Sequence, residues 1–305
     1  MKRLLLVLLL GTLAAGELVA EDGYRLWLRY DRFLWKKVRE SFSDHLQTVV
    51  LQTPSGVNSE VLAAAEAELI RGMAGMIHHE PRVYVVAGEA SADLRVDGFA
   101  VNKVTVDGRV GVRITANSDA GVLYGVFDIL RRLQLRESMA DLDYASTPKI
   151  ARRVLNHWDD LNRFVERGYA GFSLWEWPYL PEIRSPRYQD YGRALASLGI
   201  NGSVITSVNA NALVLTPDYL EKVAALADEF RPWGVRVYLT ARFSAPIEIG
   251  GLDTADPLDP EVRAWWAAKV DEIYEHVPDF GGFVVKANSE GQPGPHEYGR
   301  DHAQG

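Results

Sequence analysis

Apolar residues after position 20 first recur at a mixture of helical and strand spacings. A helix is predicted behind a cap at Asn58 or Ser59. Its apolar face consists of Val61, Leu62, Ala65, Leu69 and Met73. The run Arg82–Ala87 is short and β-branched and lies between Pro81 and Gly88, which predicts a buried strand. Helices and strands therefore both contribute to this part of the chain.

A hairpin and a second helix complete this region. Asp107-Gly108 separates two β-branched runs, and an Asp-Gly pair supplies the positive φ angles of a type I′ turn. The helix that follows has Ser118 as its predicted cap. Its core face consists of Val122, Leu123, Val126, Ile129, Leu130 and Leu133. We therefore expect a small N-terminal α+β domain over residues 21–147.

From about Pro148 onward, strands alternate with helices. Strands are predicted over residues 153–156, 202–206, 235–240 and 281–286. Helices are predicted near 188–198, from Pro217 to before Gly234, and from Pro260 through Ile273. This alternation predicts a parallel sheet and fits a (β/α) barrel, for which eight strands are needed. The expected fold class is α/β: the small domain is followed by a (β/α)8 TIM barrel, of which residues 148–305 hold about the first four β/α units.

The N-terminus has the pattern of an export signal. Lys2 and Arg3 precede the apolar run Leu4–Leu10, which is followed by small residues. A bilayer-spanning helix needs about 20 apolar residues, so a membrane anchor is the weaker alternative. We expect a signal peptide over residues 1–20, cleaved after Gly16 or Ala20, and a secreted or periplasmic mature protein without membrane association.

Charge and cysteine content exclude several classes of function. The 305 residues include 33 Lys+Arg and 41 Asp+Glu, giving a formal charge of −8. Nucleic-acid binding needs a concentrated basic surface, so we expect no nucleic-acid partner. Because there are 0 cysteines, disulfides, thiolate metal sites and a cysteine nucleophile are excluded. Catalysis is left to carboxylates, histidine, lysine, tyrosine and hydroxyl groups.

The candidate chemistry lies in the loops that follow the predicted barrel strands, where barrel enzymes place their reacting groups. The loop after the fourth strand brings Lys286, Asn288 and Glu290 within five positions of one another. The loop after the first strand contains three tryptophans: Trp158, Trp175 and Trp177. Carboxylates beside aromatic platforms are typical of sugar-processing sites. The spacing alone also suits a solvated acid at Glu290 and an ion-paired cation at Lys286.

The histidines do not predict a metal site. His78 and His79 are adjacent, and adjacent residues on a helix point about 100° apart. His296 and His302 have no third ligand at close spacing. Nucleotide-binding glycine motifs and the Gly-x-Ser-x-Gly elbow are absent from the sequence. We therefore expect neither a metal nor a cofactor.

Several longer strings resemble those of the α-glucuronidases of glycoside hydrolase family 67. The resemblance extends from about residue 23 to the last residue. The strings are Asn156–Asp160, Glu166–Gly171, Ser207–Asn211, Thr254–Pro260, Pro278–Gly282 and Lys286–Pro295. What the resemblance implies is inverting hydrolysis of the α-1,2 bond between (4-O-methyl)glucuronic acid and xylo-oligosaccharides, in the breakdown of xylan.

The resemblance also implies roles for individual residues. Glu290 is matched to the general acid, and Lys286 to the cation that receives the uronate carboxylate. Trp158 is matched to a sugar-contacting ring, and Val208 to the residue that accommodates the 4-O-methyl group. Asn209 and Asn288 are matched to hydrogen-bonding or loop-shaping groups.

The general base of the family lies on later barrel strands, which this sequence does not contain. We therefore expect the chain alone to be inactive, and expect any homodimer to belong to the longer enzyme. Two other interpretations stay open. A β-hexosaminidase-like glycosidase shares the domain order but places Asp before its strand-four Glu, where Ser289 stands here. A non-catalytic carbohydrate-binding protein is the third interpretation.

Overall fold

The computed structural model describes residues 21–55, 59–289 and 291–305. The predicted signal peptide and Glu290 lie outside the described residues. The chain divides into two compact units, one ending at Tyr30 and the other running from Asp31 to Gly305. In the first unit, the amide of Leu26 donates to the carbonyl oxygen of Gly23 at 3.0 Å, and Glu21 lies 3.5 Å from Arg29.

The second unit begins with a five-stranded mixed sheet. Its strands are β1 (Thr48–Thr53), β2 (Arg82–Ala87), β3 (Phe99–Val106), β4 (Arg109–Ala116) and β5 (Asp143–Ser146), in the order β2-β1-β4-β3-β5. β1 pairs in parallel with β2 and β4, whereas β3 pairs antiparallel with β4 and β5. The predicted hairpin is confirmed, with Asp107 and Gly108 at φ values of 51° and 75°.

Three helices accompany this sheet: α1 (Lys36–His45), α2 (Glu60–Ile77) and α3 (Asp119–Gln134). Ser59 and Ser118 cap α2 and α3, and each hydroxyl oxygen accepts a backbone N–H at 3.1 Å. α2 packs closely on α3, because Gly72 faces Leu130 so tightly that a Cβ there would come within 2.5 Å of the leucine. The predicted apolar faces of both helices form the core, except Val61 of α2, which is only partly buried.

A second, four-stranded sheet is parallel throughout. It consists of β6 (Val154–Asn156), β7 (Gly202–Val204), β8 (Arg236–Arg242) and β9 (Gly282–Lys286), paired in chain order. The helices between these strands are α4 (Pro186–Ser197), α5 (Pro217–Phe230), α6 (Ala245–Glu248) and α7 (Pro260–His276). The predicted strand–helix alternation is confirmed as a half-barrel-like parallel sheet. Among the described residues, β6 and β9 are the edge strands of this sheet.

A buried ion pair joins α2 to α4. The Glu68 side chain is 0% exposed and the Arg193 side chain 11%. Arg193 Nε and Nη2 donate to the Glu68 carboxylate at 2.8–3.0 Å, and Arg71 adds a contact at 3.3 Å. A buried carboxylate needs such donors, because leaving water without them is costly. Within the described part of the chain, no helix is both long and apolar enough to cross a membrane.

Candidate active site

The carboxyl ends of the four parallel strands bring the predicted site loops to one edge of the sheet. Asn156 pairs with Val204, and Arg242 pairs with Lys286. The loops that begin at residues 157, 205, 243 and 287 therefore leave from the same edge. Trp158, Val208, Asn209, Lys286 and Asn288 all lie on these loops or at their start. These five residues therefore lie at the same edge of the sheet, and their individual roles stay predictions.

Trp158 is exposed to solvent, whereas Asp159, the next residue in its loop, is buried. The Trp158 side chain is 42% exposed, whereas Asp159 is 3% exposed. The Asp159 carbonyl oxygen accepts the Ser207 amide at 2.7 Å, and its Oδ1 accepts the Leu174 amide at 3.2 Å. The aromatic ring is therefore available to a ligand while its backbone is anchored to two other segments.

Buried and half-buried polar side chains next to this loop form a chain of close contacts. His157 Nδ1 lies 3.2 Å from Asp159 Oδ2, and His157 Nε2 lies 2.6 Å from the Tyr191 hydroxyl. That hydroxyl is in turn 2.7 Å from Ser203 Oγ on β7. Burial raises the pKa of Tyr191, so this phenol stays protonated and its hydrogen can serve one of the two bonds. The chain fixes the position of the His157–Asp159 segment against the sheet.

The pKa values of two adjacent carboxyl groups, Asp159 and Asp160, are shifted in opposite directions. Burial works to raise the pKa of Asp159, but hydrogen bonds from His157 and Ser173 outweigh it and leave that pKa below 3.8. The pKa of Asp160 is raised above 3.8, first by burial and then by the charges of Glu166 and Asp159. Asp159 is therefore a fixed anion, and Asp160 takes up a proton more readily.

Asn209 and Asp160 line a cavity of about 560 Å³ at this edge of the sheet. Its other polar lining residues are Asn162, Asn211, Tyr219 and Arg242. Trp158, Val208, Lys286 and Asn288 are not among the lining residues of this cavity. Amide groups, a phenol and a guanidinium offer both donors and acceptors, which suits the hydroxyl groups of a sugar.

Arg242 is a cation that the predicted site did not include. Its Nη1 donates to Glu248 Oε2 at 3.0 Å and its Nε donates to Gln292 Oε1 at 2.7 Å. Ser244 Oγ also donates to the Glu248 carboxylate. Gln292 belongs to the loop after β9, so Arg242 ties that loop to the end of β8.

The loop after β9 has a defined shape on both sides of Glu290. Lys286 ends β9 and is 7% exposed. Asn288 has a left-handed φ of 50° and its Nδ2 donates to Glu297 Oε2 at 2.6 Å. The Gly294 amide donates to the same oxygen at 3.1 Å and is the first cause of the lowered pKa of Glu297. Because Glu290 lies outside the described residues, its predicted role as the acid stays a prediction.

One amide oxygen in this loop stands out. Asn288 Oδ1 is buried and has no hydrogen-bond partner among the described residues. A Cβ at Gly294 would come within 2.1 Å of this oxygen, so glycine is required for the loop to close. Asn288 is therefore fixed within the loop, and its predicted role in the site stays a prediction.

Two of the three loop tryptophans are buried and do not offer their rings to a ligand. Trp175 is 0% and Trp177 is 1% exposed. The Trp175 ring packs at 5.2 Å from both His157 and Tyr191 and at 5.7 Å from Phe230. The loop folds back, and burying large aromatic area against α4 and α5 outweighs leaving the rings exposed. Only Trp158 of the three is accessible.

No group of three metal-ligating side chains occurs in residues 21–55, 59–289 and 291–305. His78 ends α2 with a left-handed φ of 54°, and His79 Nε2 lies 3.2 Å from the Leu46 carbonyl oxygen. These two histidines thus serve the end of a helix.

Sequence reasoning did not assign His157, Asp159, Asp160 and Arg242 individual roles. The first three were visible as part of the string Asn156–Asp160, but their burial and opposite pKa shifts depend on contacts with distant segments. Arg242 was visible in the loop after the third predicted strand, which is a position where functional groups occur, and the structure extends that strand, β8, to Arg242.

Comparison with known proteins gives a consistent family match. The model described as "Glycosyl hydrolase family 67 middle domain" matches residues 132–305, and that described as "Glycosyl hydrolase family 67 N-terminus" matches residues 84–129. Alpha-glucuronidase A of Emericella nidulans is 37% identical over 99% of this chain and 37% of its own length. Alpha-glucuronidase of Hypocrea jecorina is 36% identical over 99% of this chain and 38% of its own length. The chain thus spans somewhat more than a third of these curated relatives.

Solved structures share the fold at low sequence identity. A GH138 enzyme targeting pectin rhamnogalacturonan II aligns with a TM-score of 0.53 and 17% identity, over 78% of this chain and 30% of that protein. A family GH115 4-O-methyl-alpha-glucuronidase aligns with a TM-score of 0.51 and 13% identity, over 82% of this chain and 37% of that protein. These likenesses concern the fold alone.

Proposed function

The chain belongs to glycoside hydrolase family 67, and we propose that it acts in α-glucuronidase chemistry on uronate-substituted xylo-oligosaccharides. The observation that carries this proposal is the match to enzymes named alpha-glucuronidase over almost the whole chain. The finer proposal is that α-1,2-linked (4-O-methyl)glucuronic acid is released with inversion.

The proposed architecture is a small α+β domain over residues 21–147 followed by the first four β/α units of a (β/α)8 barrel over residues 148–305. Parallel strands in chain order, separated by helices, support it. Export through a signal peptide over residues 1–20 stays part of the proposal, supported by the apolar run Leu4–Leu10 behind Lys2 and Arg3.

We assign a role to each candidate residue at the carboxyl ends of the parallel strands. Glu290 protonates the leaving glycosidic oxygen, and Lys286 attracts the uronate carboxylate as a compact cation. Trp158 offers its exposed ring to a sugar face, which is supported by its anchored backbone. Val208 faces the 4-O-methyl group, while Asn209 and Asn288 bind hydroxyl groups or shape the loops.

An inverting reaction needs a base on the opposite face of the sugar. The two carboxyl groups of such enzymes lie about 6.5–9.5 Å apart so that a water molecule fits between them. The acid must also hold its proton near neutral pH, which requires burial or nearby negative charge. The roles proposed here therefore concern the acid and the uronate, and the base is not assigned to a residue of this chain.

The test is a chimera with a relative of known length. This chain replaces the segment that it matches in Emericella nidulans alpha-glucuronidase A, and release of glucuronic acid from aldouronic acids is measured. We expect turnover that is abolished by Glu290→Gln while substrate binding is retained. The matched control is Glu275→Gln, an exposed glutamate on α7 away from the loop, for which we expect turnover to persist. A folded chimera that binds aldouronic acids but turns over equally well with Glu290→Gln would refute the acid role.

A further inference from the structure

A large cleft lies at the opposite end of the parallel sheet from the candidate active site. Its volume is about 970 Å³. Arg153, Asn201 and Gly281 line it and directly precede β6, β7 and β9, and Arg236 begins β8. A seven-residue strand such as β8 spans about 20 Å, so the two ends of the sheet are well separated. The cleft is thus distinct from the site at the carboxyl ends.

The wall of the cleft is built from fixed polar contacts. Arg153 Nη2 donates to Asp97 Oδ2 at 2.8 Å, and Asn201 Nδ2 donates to the same oxygen at 3.1 Å. Asn201 Nδ2 also donates to the Ala151 carbonyl oxygen at 2.8 Å. On the other side, Arg231 donates to both oxygens of Asp279 at 3.0–3.1 Å. The two acids of the cleft are therefore already neutralised by arginines.

The remaining charge in the cleft is positive. Among the described residues, four lining cations have no carboxylate oxygen within 4.0 Å: Arg95, Lys149, Arg152 and Arg236. All four side chains are exposed to solvent. In a chain with a net charge of −8, this concentrates unpaired cations on one concave surface. Such a surface attracts an anion.

The apolar residues that line the cleft indicate which class of anion it can bind. Val96 and Ile150 are 69% and 65% exposed. The backbone of Gly281 packs directly against the Tyr238 ring, since a Cβ at Gly281 would come within 2.3 Å of that ring. Stacking of a nucleic-acid base needs a free aromatic face, which this cleft does not offer. Exposed aliphatic groups beside cations suit a sugar chain that carries carboxylates and presents C–H faces.

We propose that this cleft is a second binding site for a uronate-bearing xylan chain, separate from the candidate active site. The choice of this acidic saccharide rests on the proposed function, whereas the anion preference rests on the unpaired cations. The site retains the polymer near the protein while the carboxyl-end loops engage one uronate at a time.

The test measures binding of the protein to glucuronoxylan and to uronate-free xylan of the same backbone by isothermal titration calorimetry. We expect binding to glucuronoxylan alone, weakening as NaCl rises from about 0.02 M to about 0.2 M because the cations are exposed. The double variant Arg152→Glu/Arg236→Glu should lose on the order of tenfold in affinity or more. The matched control Arg113→Glu/Arg187→Glu makes the same charge change outside the cleft and should lose less than about threefold.

Further arms separate this site from the proposed active site. Lys286→Met removes the predicted uronate cation, and polymer binding should persist in this variant while the cleft variant loses it. If Lys286→Met abolishes polymer binding and the cleft variant does not, binding belongs to the active site and the cleft proposal is wrong, whereas the proposed function stands. Equal binding of uronate-free xylan overturns the uronate assignment. Duplex DNA that binds as tightly as glucuronoxylan overturns the assignment to a saccharide.

Discussion

At the scale of single residues, burial separates the side chains that can meet a ligand from those that hold the loops. Trp158 and Trp175 belong to one loop, yet one ring is exposed and the other is in the core. Asp159 and Asp160 are adjacent, yet their pKa values move apart. In both pairs, residue type is shared and the environment differs. The environment is therefore what assigns the role.

The tryptophan pair gives a direct stability test. Trp175→Ala removes a ring that packs against His157, Tyr191 and Phe230, so it should lower the free energy of unfolding by about 4 kcal/mol through the cavity left behind. Trp158→Ala is the matched control and should cost less than about 1 kcal/mol. Urea denaturation followed by circular dichroism measures both. Similar losses for the two variants would contradict the burial difference.

The aspartate pair predicts opposite pH dependences. The folded pKa of Asp159 is lowered, so its ionised form contributes stability above about pH 4, and this is lost as pH falls through the folded pKa. Asp159→Asn should therefore cost about 2 kcal/mol at pH 7, with a difference from the native chain that shrinks below about pH 4. Unfolding free energies measured across this pH range check it.

Asp160→Asn is the counterpart of this experiment. Because the folded pKa of Asp160 is raised, its ionisation opposes folding, and removing the charge should stabilise the protein at neutral pH. This gain should vanish as pH falls below the unfolded pKa of about 3.9. A pH-independent effect for either variant would show that its carboxylate does not titrate as the geometry requires.

At the scale of helices and strands, local signals predicted most of the fold. The serine caps and the Asp-Gly turn each satisfy backbone groups locally, so a short string of sequence specifies them. The strand predicted over residues 202–206 ends at Val204. Two residues further on, the Thr206 side-chain Oγ1 accepts the Thr240 amide at 3.2 Å. A side-chain oxygen thus takes the place of a backbone carbonyl in the pairing with β8.

The path of the tryptophan loop could not be predicted in this way. Trp175 is placed by rings on α4 and α5, which are distant in sequence, and periodicity does not report such contacts. The joint between α2 and α4, which is the buried Glu68–Arg193 ion pair, could not be predicted from local signals either. Glu68 sits on the apolar side of a predicted helix, and only the approach of Arg193 explains why a carboxylate is there.

That joint can be tested at Glu68. Glu68→Gln keeps the shape of the side chain but leaves the buried Arg193 guanidinium without an anion, so it should destabilise the protein by about 3 kcal/mol. Glu40→Gln, which breaks an exposed pair with Lys36 on α1, should change stability by no more than about 0.5 kcal/mol. Thermal and urea unfolding of both variants provide the comparison. Equal effects would mean that burial of the ion pair adds nothing.

At the scale of the whole molecule, the net charge of the chain and the charge of the proposed uronate substrate have the same sign. A chain of charge −8 does not attract a uronate through its overall field, so local cations must do so. The unit from Asp31 to Gly305 concentrates cations at both ends of its parallel sheet: Lys286 and Arg242 at the carboxyl ends, and the unpaired cations of the cleft at the amino ends. Charge placement, not total charge, thus determines which anions bind.

The edges of the parallel sheet make a further prediction about the behaviour of the molecule in solution. Within the part of the chain that the structure describes, β6 and β9 have one strand neighbour each. Val154, Leu155 and Val285 on them are 37%, 40% and 59% exposed. Unpaired strand edges with apolar side chains favour association between copies. We expect the protein to self-associate increasingly as its concentration rises, as measured by sedimentation velocity.

Val285→Lys should weaken this association about tenfold, since burying a valine contributes about 1.5 kcal/mol. Ile183→Lys, which changes a 63% exposed residue outside the sheet, is the control and should leave association unchanged. A monomer at all concentrations, or equal effects of both lysines, would show that the sheet edges are not the surfaces that associate.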